Sequence, residues 1–344
     1  MAPTIALDAM GGDHAPQCVI DGAARAARRD SDLRFILFGD RTKLSPLLDK
    51  RKRLSEVCTL EHTDDQIADD TRPSVALRQG RQSSMRRAID ALKSGDADAM
   101  ISAGNTGALM AMGKVVLRTL PRIDRPAIVS TMPTRRGRSV MLDLGANATC
   151  NPNNLVEFAV MGEVFARAVL GVERPSVGLL NIGSEDVKGH DVVQEAAQAL
   201  REGDLPIDFA GFIEANEIHI GRVDVVVTDG FTGNVALKMA EGTATFIGSG
   251  LKEAFASSWR GRLSYLLGKP MLERLRRSFD PRGHNGAMFV GLNGVVVKSH
   301  GNTDALGYAN AIRITAELIR NGTNTRIIEE MERFGVPSDL AAAS

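Results

Sequence analysis

Short apolar runs alternate along the chain with stretches of helical periodicity. Thr4 to Leu7, Leu33 to Phe38, Ala97 to Ile101, Ala127 to Ser130, Val140 to Leu142, Ser176 to Asn181, Val223 to Thr228 and Gly294 to Lys298 read as strands. Several are nearly continuous apolar runs, as strands buried on both faces should be. Asn151 as N-cap and Pro152 at the first helical position open a helix whose Leu155, Phe158, Ala159, Gly162, Phe165, Ala166 and Val169 share one face. A second stripe, Ala305, Ala309, Ile312, Ala316 and Ile319, follows a Thr303 cap. The alternation predicts an α/β protein on a mostly parallel sheet. Ligands of such sheets bind outside the carboxyl ends of the strands. At 344 residues the length fits roughly two domains or one large α/β unit with an insertion; we expect the latter, a single large α/β domain over 1–335 with a helical basic amphipathic excursion at 247–282 and a C-terminal tail at 336–344.

Charge narrows the function class. The chain carries 42 Lys and Arg against 42 Asp and Glu, so it lacks the global positive excess that nucleic-acid binding wants, and no nucleic-acid partner is expected. Its N-terminus runs straight into a strand without a signal peptide, and no apolar run approaches the ~20 residues of a membrane span, which predicts a cytoplasmic location. Three scattered cysteines, Cys18, Cys58 and Cys150, fit a reducing compartment better than a disulfide framework. The six histidines contain no H-E-x-x-H and there is no Cys pair of metal type, so no metal is expected. G-x-x-x-x-G-K-[ST], G-x-G-x-x-G and G-x-S-x-G are all missing, which disfavours the commonest nucleotide loops and the serine elbow; no cofactor is expected.

Glycine is the compositional outlier, 34 residues, and much of it falls in loops that follow strands. The first strand leads into Asp8-Ala9-Met10-Gly11-Gly12-Asp13-His14, and the third into Ser102-Ala103-Gly104-Asn105-Thr106-Gly107. Asp143-Leu144-Gly145-Ala146-Asn147, Asn181-Ile182-Gly183-Ser184 through Lys188, and Asp229-Gly230-Phe231-Thr232-Gly233-Asn234 repeat the pattern. Any one of these is a plausible plain tight turn, since glycine is the default residue there. Five together, each adding small polar or charged residues, predict a shared anion site built from free N–H groups at helix starts. Lys188 is the sharpest residue, because a cation in a loop after a buried strand suits a phosphate or a developing oxyanion.

One stretch breaks the neutral average. Between Trp259 and Arg282, seven basic residues, Arg274, Arg276 and Arg277 among them, face only Glu273 and Asp280. Trp259 and Arg260 open it, and Leu263, Leu266 and Leu267 form an apolar stripe. A solvated helical hairpin, a dimer contact, and docking to an anionic bilayer or an acidic protein all fit this pattern.

Taken together the loops resemble, over nearly the full length, the bacterial phosphate acyltransferases of phospholipid synthesis. The matching pieces are LDAMGGDHAP at 7–16, SAGNTGALMA at 102–111, LRTLPRIDRPAI at 117–128, LDLGAN at 142–147, LLNIGSEDVKG at 179–189, VVTDGFTGNVALK at 226–238 and GLNGVVVKSHG at 291–301. The resemblance implies a homodimeric three-layer α/β/α fold akin to isocitrate dehydrogenase and phosphate acetyltransferase. It implies transfer of a fatty acyl group from acyl-acyl carrier protein to inorganic phosphate, giving acyl phosphate. The partners it points to are the carrier protein, inorganic phosphate and a second copy of the chain; the basic segment adds peripheral contact with a membrane surface, and with it a downstream membrane glycerol-3-phosphate acyltransferase, as an alternative to docking the carrier. Phosphate is already an anionic nucleophile, and a thiol of ordinary pKa near ~8.5 is a fair leaving group, so positioning and oxyanion stabilisation are the main tasks.

We accordingly expect Lys188, His300 and Asp229 to be catalytic. Asp8, Gly11, Gly12, His14, Ser102, Gly104, Asn105, Thr106, Asp143, Asn147, Asn181, Gly183, Ser184, Thr232, Gly233 and Asn234 would hold phosphate or substrate. Trp259, Arg260, Leu263, Leu266, Leu267, Arg274, Arg276 and Arg277 would dock to membrane or carrier. An acyl-coenzyme A-dependent enzyme and a non-catalytic carrier-protein scaffold remain alternatives on these residues.

Overall fold

The computed structural model describes residues 2–203, 205, 207–279 and 281–333, and only the backbone path of 274–279, 281, 284, 332 and 333. The expected tail at 336–344 lies outside the described residues. Eleven strands make one sheet: β1 (Thr4–Asp8), β2 (Arg34–Gly39), β3 (Cys58–His62), β4 (Ala99–Ser102), β5 (Ala127–Thr134), β6 (Gly137–Leu142), β7 (Ser176–Leu180), β8 (Asp208–Ile213), β9 (Val225–Val227), β10 (Ala287–Val290) and β11 (Val295–Lys298). Their order is β3-β2-β1-β4-β11-β10-β5-β6-β9-β7-β8. The helices are α1 (Gln17–Arg29), α2 (Arg41–Leu48), α3 (Lys52–Ser55), α4 (Pro73–Gln79), α5 (Ser84–Ser94), α6 (Thr106–Leu117), α7 (Pro152–Leu170), α8 (Asp191–Glu202), α9 (Gly230–Ala256), α10 (Trp259–Phe279), α11 (Ala305–Arg320) and α12 (Thr323–Arg333).

Strand residues alternate between two cores, which is what places helices on both faces. Ile5 and Leu7, Val295 and Val297, Val140 and Leu142, and Val225 and Val227 point into one core with α1, α7 and α11. Ala6, Val296, Met141 and Val226 point into the other, with α5, α6 and Ala236, Leu237 and Ala240 of α9. The expected three-layer α/β fold is thus present.

The sheet is parallel except at β11-β10, β10-β5 and β5-β6. Local sequence explains two of these joints. β5 turns into β6 through Arg135 and Arg136 alone, with Gly137 at φ 125°, and β10 turns into β11 between Gly291 at φ 92° and Gly294 at φ 157°. Such short connections are hairpins and force antiparallel pairing. With β10-β5 as the third reversal, β1, β2, β3, β4 and β11 run in one sense, while β6, β7, β8 and β9 run in the other.

Asn151 caps α7 as expected, accepting from the Asn154 N–H at 2.8 Å while Asn154 returns the bond. The α11 cap is instead Asp304, whose carboxylate accepts from Leu306 and Gly307; Thr303 is buried one residue earlier. β3, β8 and β10 were not anticipated from the hydrophobic pattern. β3 and β8 are the two edges of the sheet, and CTLEH and DFAGFI mix polar and apolar residues because one flank of each is uncovered. β10 has only four residues, too few for a pattern to register.

Candidate active site

The loops that follow β1, β4 and β11 meet. Asp8, fully buried at the end of β1, accepts from the Ser84 hydroxyl at 2.6 Å through one oxygen and from the Ser102 hydroxyl at 2.7 Å through the other. Burial raises its carboxyl above the ordinary value; the two hydroxyls and the Met10 and Gly11 N–H groups oppose that shift. Ser102 Oγ also accepts from the Gly104 N–H at 3.0 Å. The Asp13 N–H donates to the Gly301 carbonyl at 3.0 Å, and His14 Nε2 lies 2.8 Å from Asn302 Oδ1. Gly11 and Gly104 stack backbone on backbone: a Cβ on Gly11 would lie 2.5 Å from Asp8 Oδ2 and 2.8 Å from Gly104 N. Asn105 caps α6 by accepting from the Ala108 N–H at 2.9 Å and ties down the 69–71 loop through its amide. The N–H groups of Thr106 and Gly107 in that first turn have no intrahelical acceptor and suit an external anion. Asp8, Gly11, Gly12, His14, Ser102, Gly104, Asn105 and Thr106 therefore share one place.

A second group surrounds the ends of β6 and β9. Asp143 accepts from the N–H groups of Ile128, Gly145, Ala146 and Asn147 and from the Asn147 amide, at 2.7 to 3.2 Å. Asn147 gives its amide also to the Pro126 carbonyl at 2.8 Å. Both side chains are buried; the Asp143 oxygens are saturated by these contacts and the Asn147 amide nitrogen is fully used, so both brace the loop. Asp229 is the N-cap of α9, accepting from the Thr232 N–H and hydroxyl at 2.8 Å each. Gly233 packs against β6, where an added Cβ would fall 1.9 Å from the Asp143 carbonyl. Asn234 lies over Gly145 with its side chain exposed.

The loop after β7 leaves the same edge of the sheet as those after β6 and β9, away from the first group. Asn181 folds it by donating to the Lys188 carbonyl at 2.9 Å and accepting from the Ile182 N–H. Ser184 and Lys188 are exposed, and among the described residues the Lys188 ammonium makes no ion pair. Five strands separate β4 from β7. At the usual strand spacing that is about 29 Å along the sheet. The expectation that one phosphate is held jointly by Gly104–Thr106 and Gly183–Ser184 is corrected by this geometry: within this chain the five loops form separate groups, because strand sense reverses between them.

Helix α9 bridges the groups. It starts at the Asp229 cap, crosses the second face of the sheet on Ala236, Leu237 and Ala240, and places Lys238 Nζ 3.4 Å from His300 Nε2. Lys238 also pairs with Glu241 at 2.8 Å. Beside them Lys298 ends β11, its ammonium donating to the carbonyls of Ala103, at 3.0 Å, and Ser299. Loss of hydration lowers the Lys298 pKa to about 8, with Asp69, Asp8 and Asp13 opposing and the Lys238 cation assisting. The His300 pKa is lowered by loss of hydration and then by Lys238. Cys150, below the second group, is pushed up to about 12 by burial and by Asp143 and Asp229, so its thiol stays protonated and is no nucleophile.

The docking segment is helical throughout its described part. Trp259, Leu263, Leu266 and Leu267 are exposed on α10, and the Arg260 guanidinium lies over the Trp259 ring at 5.4 Å. The side chains of Arg274, Arg276 and Arg277 lie outside the described residues. Phe231, Val235, Met239 and Phe246 add an exposed apolar stripe on α9. Among the described residues no helix is long and apolar enough to cross a membrane.

Residues 3–326 match the family model described as fatty acid synthesis protein. A phosphate acyltransferase of Paramagnetospirillum magneticum is 54% identical over 347 aligned residues, covering 100% of this chain and 99% of that protein. One from Rhodospirillum centenum is 56% identical over 99% of this chain and 96% of its own. The chain belongs to the phosphate acyltransferase family. Among solved structures a phosphotransacetylase from Streptococcus pyogenes superposes with TM-score 0.63 at 19% identity, covering 92% of this chain and 94% of that one, and EutD phosphotransacetylase from Staphylococcus aureus with TM-score 0.58 over the same shares. These two show the common fold.

For a phosphate acyltransferase the residues overlooked in the sequence are Lys238 and Lys298. Both lie inside the recognised motifs, as the last residue of VVTDGFTGNVALK and the eighth of GLNGVVVKSHG. The available signal was a lysine closing an all-valine strand, where solvation is poor. Lysine 13Cε shifts followed against pH should show one ammonium titrating near 8, absent from Lys298→Met. Because the folded pKa lies below the ordinary lysine value, the unfolded chain binds more protons between the two, so stability should rise as pH climbs from about 8 toward that value. A wild-type spectrum with every lysine at its ordinary value would refute this assignment.

Proposed function

We propose that this acyltransferase moves a fatty acyl group from acyl-acyl carrier protein to inorganic phosphate, supplying acyl phosphate for phosphatidic acid synthesis. A phosphate oxygen attacks the thioester carbonyl, the C–O bond forms, the C–S bond breaks, and the carrier thiolate leaves and takes up a proton. The observation that carries the reading is the meeting of the β1, β4 and β11 loops, with free N–H groups at the start of α6 and the Lys298 and His300 nitrogens beside them. This suits a small anion and needs no side-chain nucleophile. Asp8, Gly11, Gly12, His14, Ser102, Gly104, Asn105 and Thr106 shape that place. Asp229 and Thr232 act through the start of α9. Within one chain Lys188 lies about 29 Å along the sheet from the β4 loop, so the cation it offers to charge developing on the thioester oxygen would come from the second copy of the chain, and the exposed Ile182 and Val187 flanking it fit an acyl donor. The chain acts as a homodimer, with the α9 stripe as the covered face, and the α10 surface meets the carrier or the inner membrane leaflet on the way to the glycerol-3-phosphate acyltransferase.

Trapping with hydroxylamine should give acyl hydroxamate from carrier-linked donor and phosphate, and much less from coenzyme A-linked donor. The reverse preference points to the coenzyme-dependent reading, and tight carrier binding with no hydroxamate to the scaffold. Lys188→Ala should stay folded and lose about 10²- to 10³-fold in turnover; a near-normal rate removes Lys188 from the mechanism. The paired change Leu266→Glu and Leu267→Glu should reduce flotation with anionic vesicles or capture by the carrier, and no effect on either would discard α10 as the docking surface.

A further inference from the structure

Two hydrogen-bond donors oppose each other beside the β11 loop. His300 Nδ1 lies 3.3 Å from the backbone nitrogen of Asn302, whose N–H can only donate, so Nδ1 accepts and the ring proton sits on Nε2. Nε2 then points at Lys238 Nζ, 3.4 Å away, which is also a donor. Moving the proton to Nδ1 shifts the conflict to the Asn302 N–H without removing it. Either tautomer leaves two donors head to head, at an exposed place open to an anion from solution and beside the part-buried Lys298.

The surroundings hold the conflict in place. The Asn285 amide oxygen accepts from the His300 N–H at 2.8 Å, while its nitrogen donates to Ser299 and Thr303, so the β11 loop is braced behind the ring. Glu241 takes one N–H of Lys238 and leaves the others free. Asp13 and Glu241 are the carboxylates facing the pair, and Lys298 adds a further cation. One anionic oxygen seated at ordinary hydrogen-bond distance, about 2.8 Å from both nitrogens, would accept from each and remove the opposition.

We propose that Lys238 and His300 jointly bind an oxygen of the acceptor phosphate, Lys238 being the phosphate ligand contributed by α9; this rests on the reading above that phosphate is the acceptor. Lys298, bonded to the Ala103 carbonyl, joins this pair to the β4 loop and its N–H groups. Helix α9 thereby carries a substrate-binding cation from the second half of the sheet to the loops of the first.

Binding of inorganic phosphate to the full chain by calorimetry, together with kinetics at varied phosphate, tests the proposal. Lys238→Ala should weaken phosphate affinity and raise the phosphate KM by about 10- to 100-fold, as loss of a charged hydrogen-bond partner does, with donor KM unchanged. Lys238→Arg should recover most of the loss. Unchanged phosphate Kd and KM in a folded Lys238→Ala, or an equal rise in donor KM, overturns it. Should the wild type bind phosphate yet form no acyl phosphate, the acyl-transfer reading fails while calorimetry still decides the phosphate site.

Discussion

Asp8 is a carboxylate without water, and each of its oxygens is held by a hydroxyl from a different element, Ser84 at the start of α5 and Ser102 at the end of β4. Removing either hydroxyl would leave a buried carboxyl oxygen without its partner, a costly change in a protein interior. The surrounding geometry follows from that requirement. Ser102 reaches both Asp8 and the Gly104 N–H, so the β4 loop bends over β1, and Gly11 and Gly104 approach too closely for any side chain. The Asp8 charge in turn supports the protonated form of Lys298, which fastens the β11 loop to Ala103.

The fold was legible because its central strands are apolar on both faces and its helices carry plain caps and stripes. Edge strands were not, since their uncovered flank admits polar residues and blurs the two-residue period. The candidate site was legible as loops and much less as roles. Asp143, Asn147, Asp229 and Asn181 are the small polar residues one looks for in an active site, yet the same chemistry makes them loop braces and helix caps, with the carboxylates accepting from backbone N–H groups and the amide nitrogens donating to carbonyls. Lys238 and Lys298 escaped notice for the opposite reason: a lysine is ordinarily a solvated surface residue, and only the neighbours across 60 or more residues of chain, as in the contact of Lys238 with His300, show otherwise.

Strand reversal also could not be foreseen from a list of strand ends. Carboxyl ends of strands define a common ligand edge only while the strands share a sense. The three antiparallel joints, β11-β10, β10-β5 and β5-β6, together invert half of this sheet, and α9 then brings the two edges into contact through Lys238 and His300. That contact is made within the first three turns of α9, and most of the rest of its 27 residues lie exposed beyond it.

The sheet order also sets a timetable for synthesis. β1, β2, β3 and β4 leave the ribosome first, but the neighbour that closes β4 is β11, and the helix that lies along α1 is α11, both near the other end of the chain. The half of the sheet formed by β5 to β9 is encoded contiguously in between. The part begun first is therefore completed last, with the open edge of β4 awaiting a strand almost 200 residues downstream, and a chaperone that shields this edge would act on the nascent chain through most of its elongation.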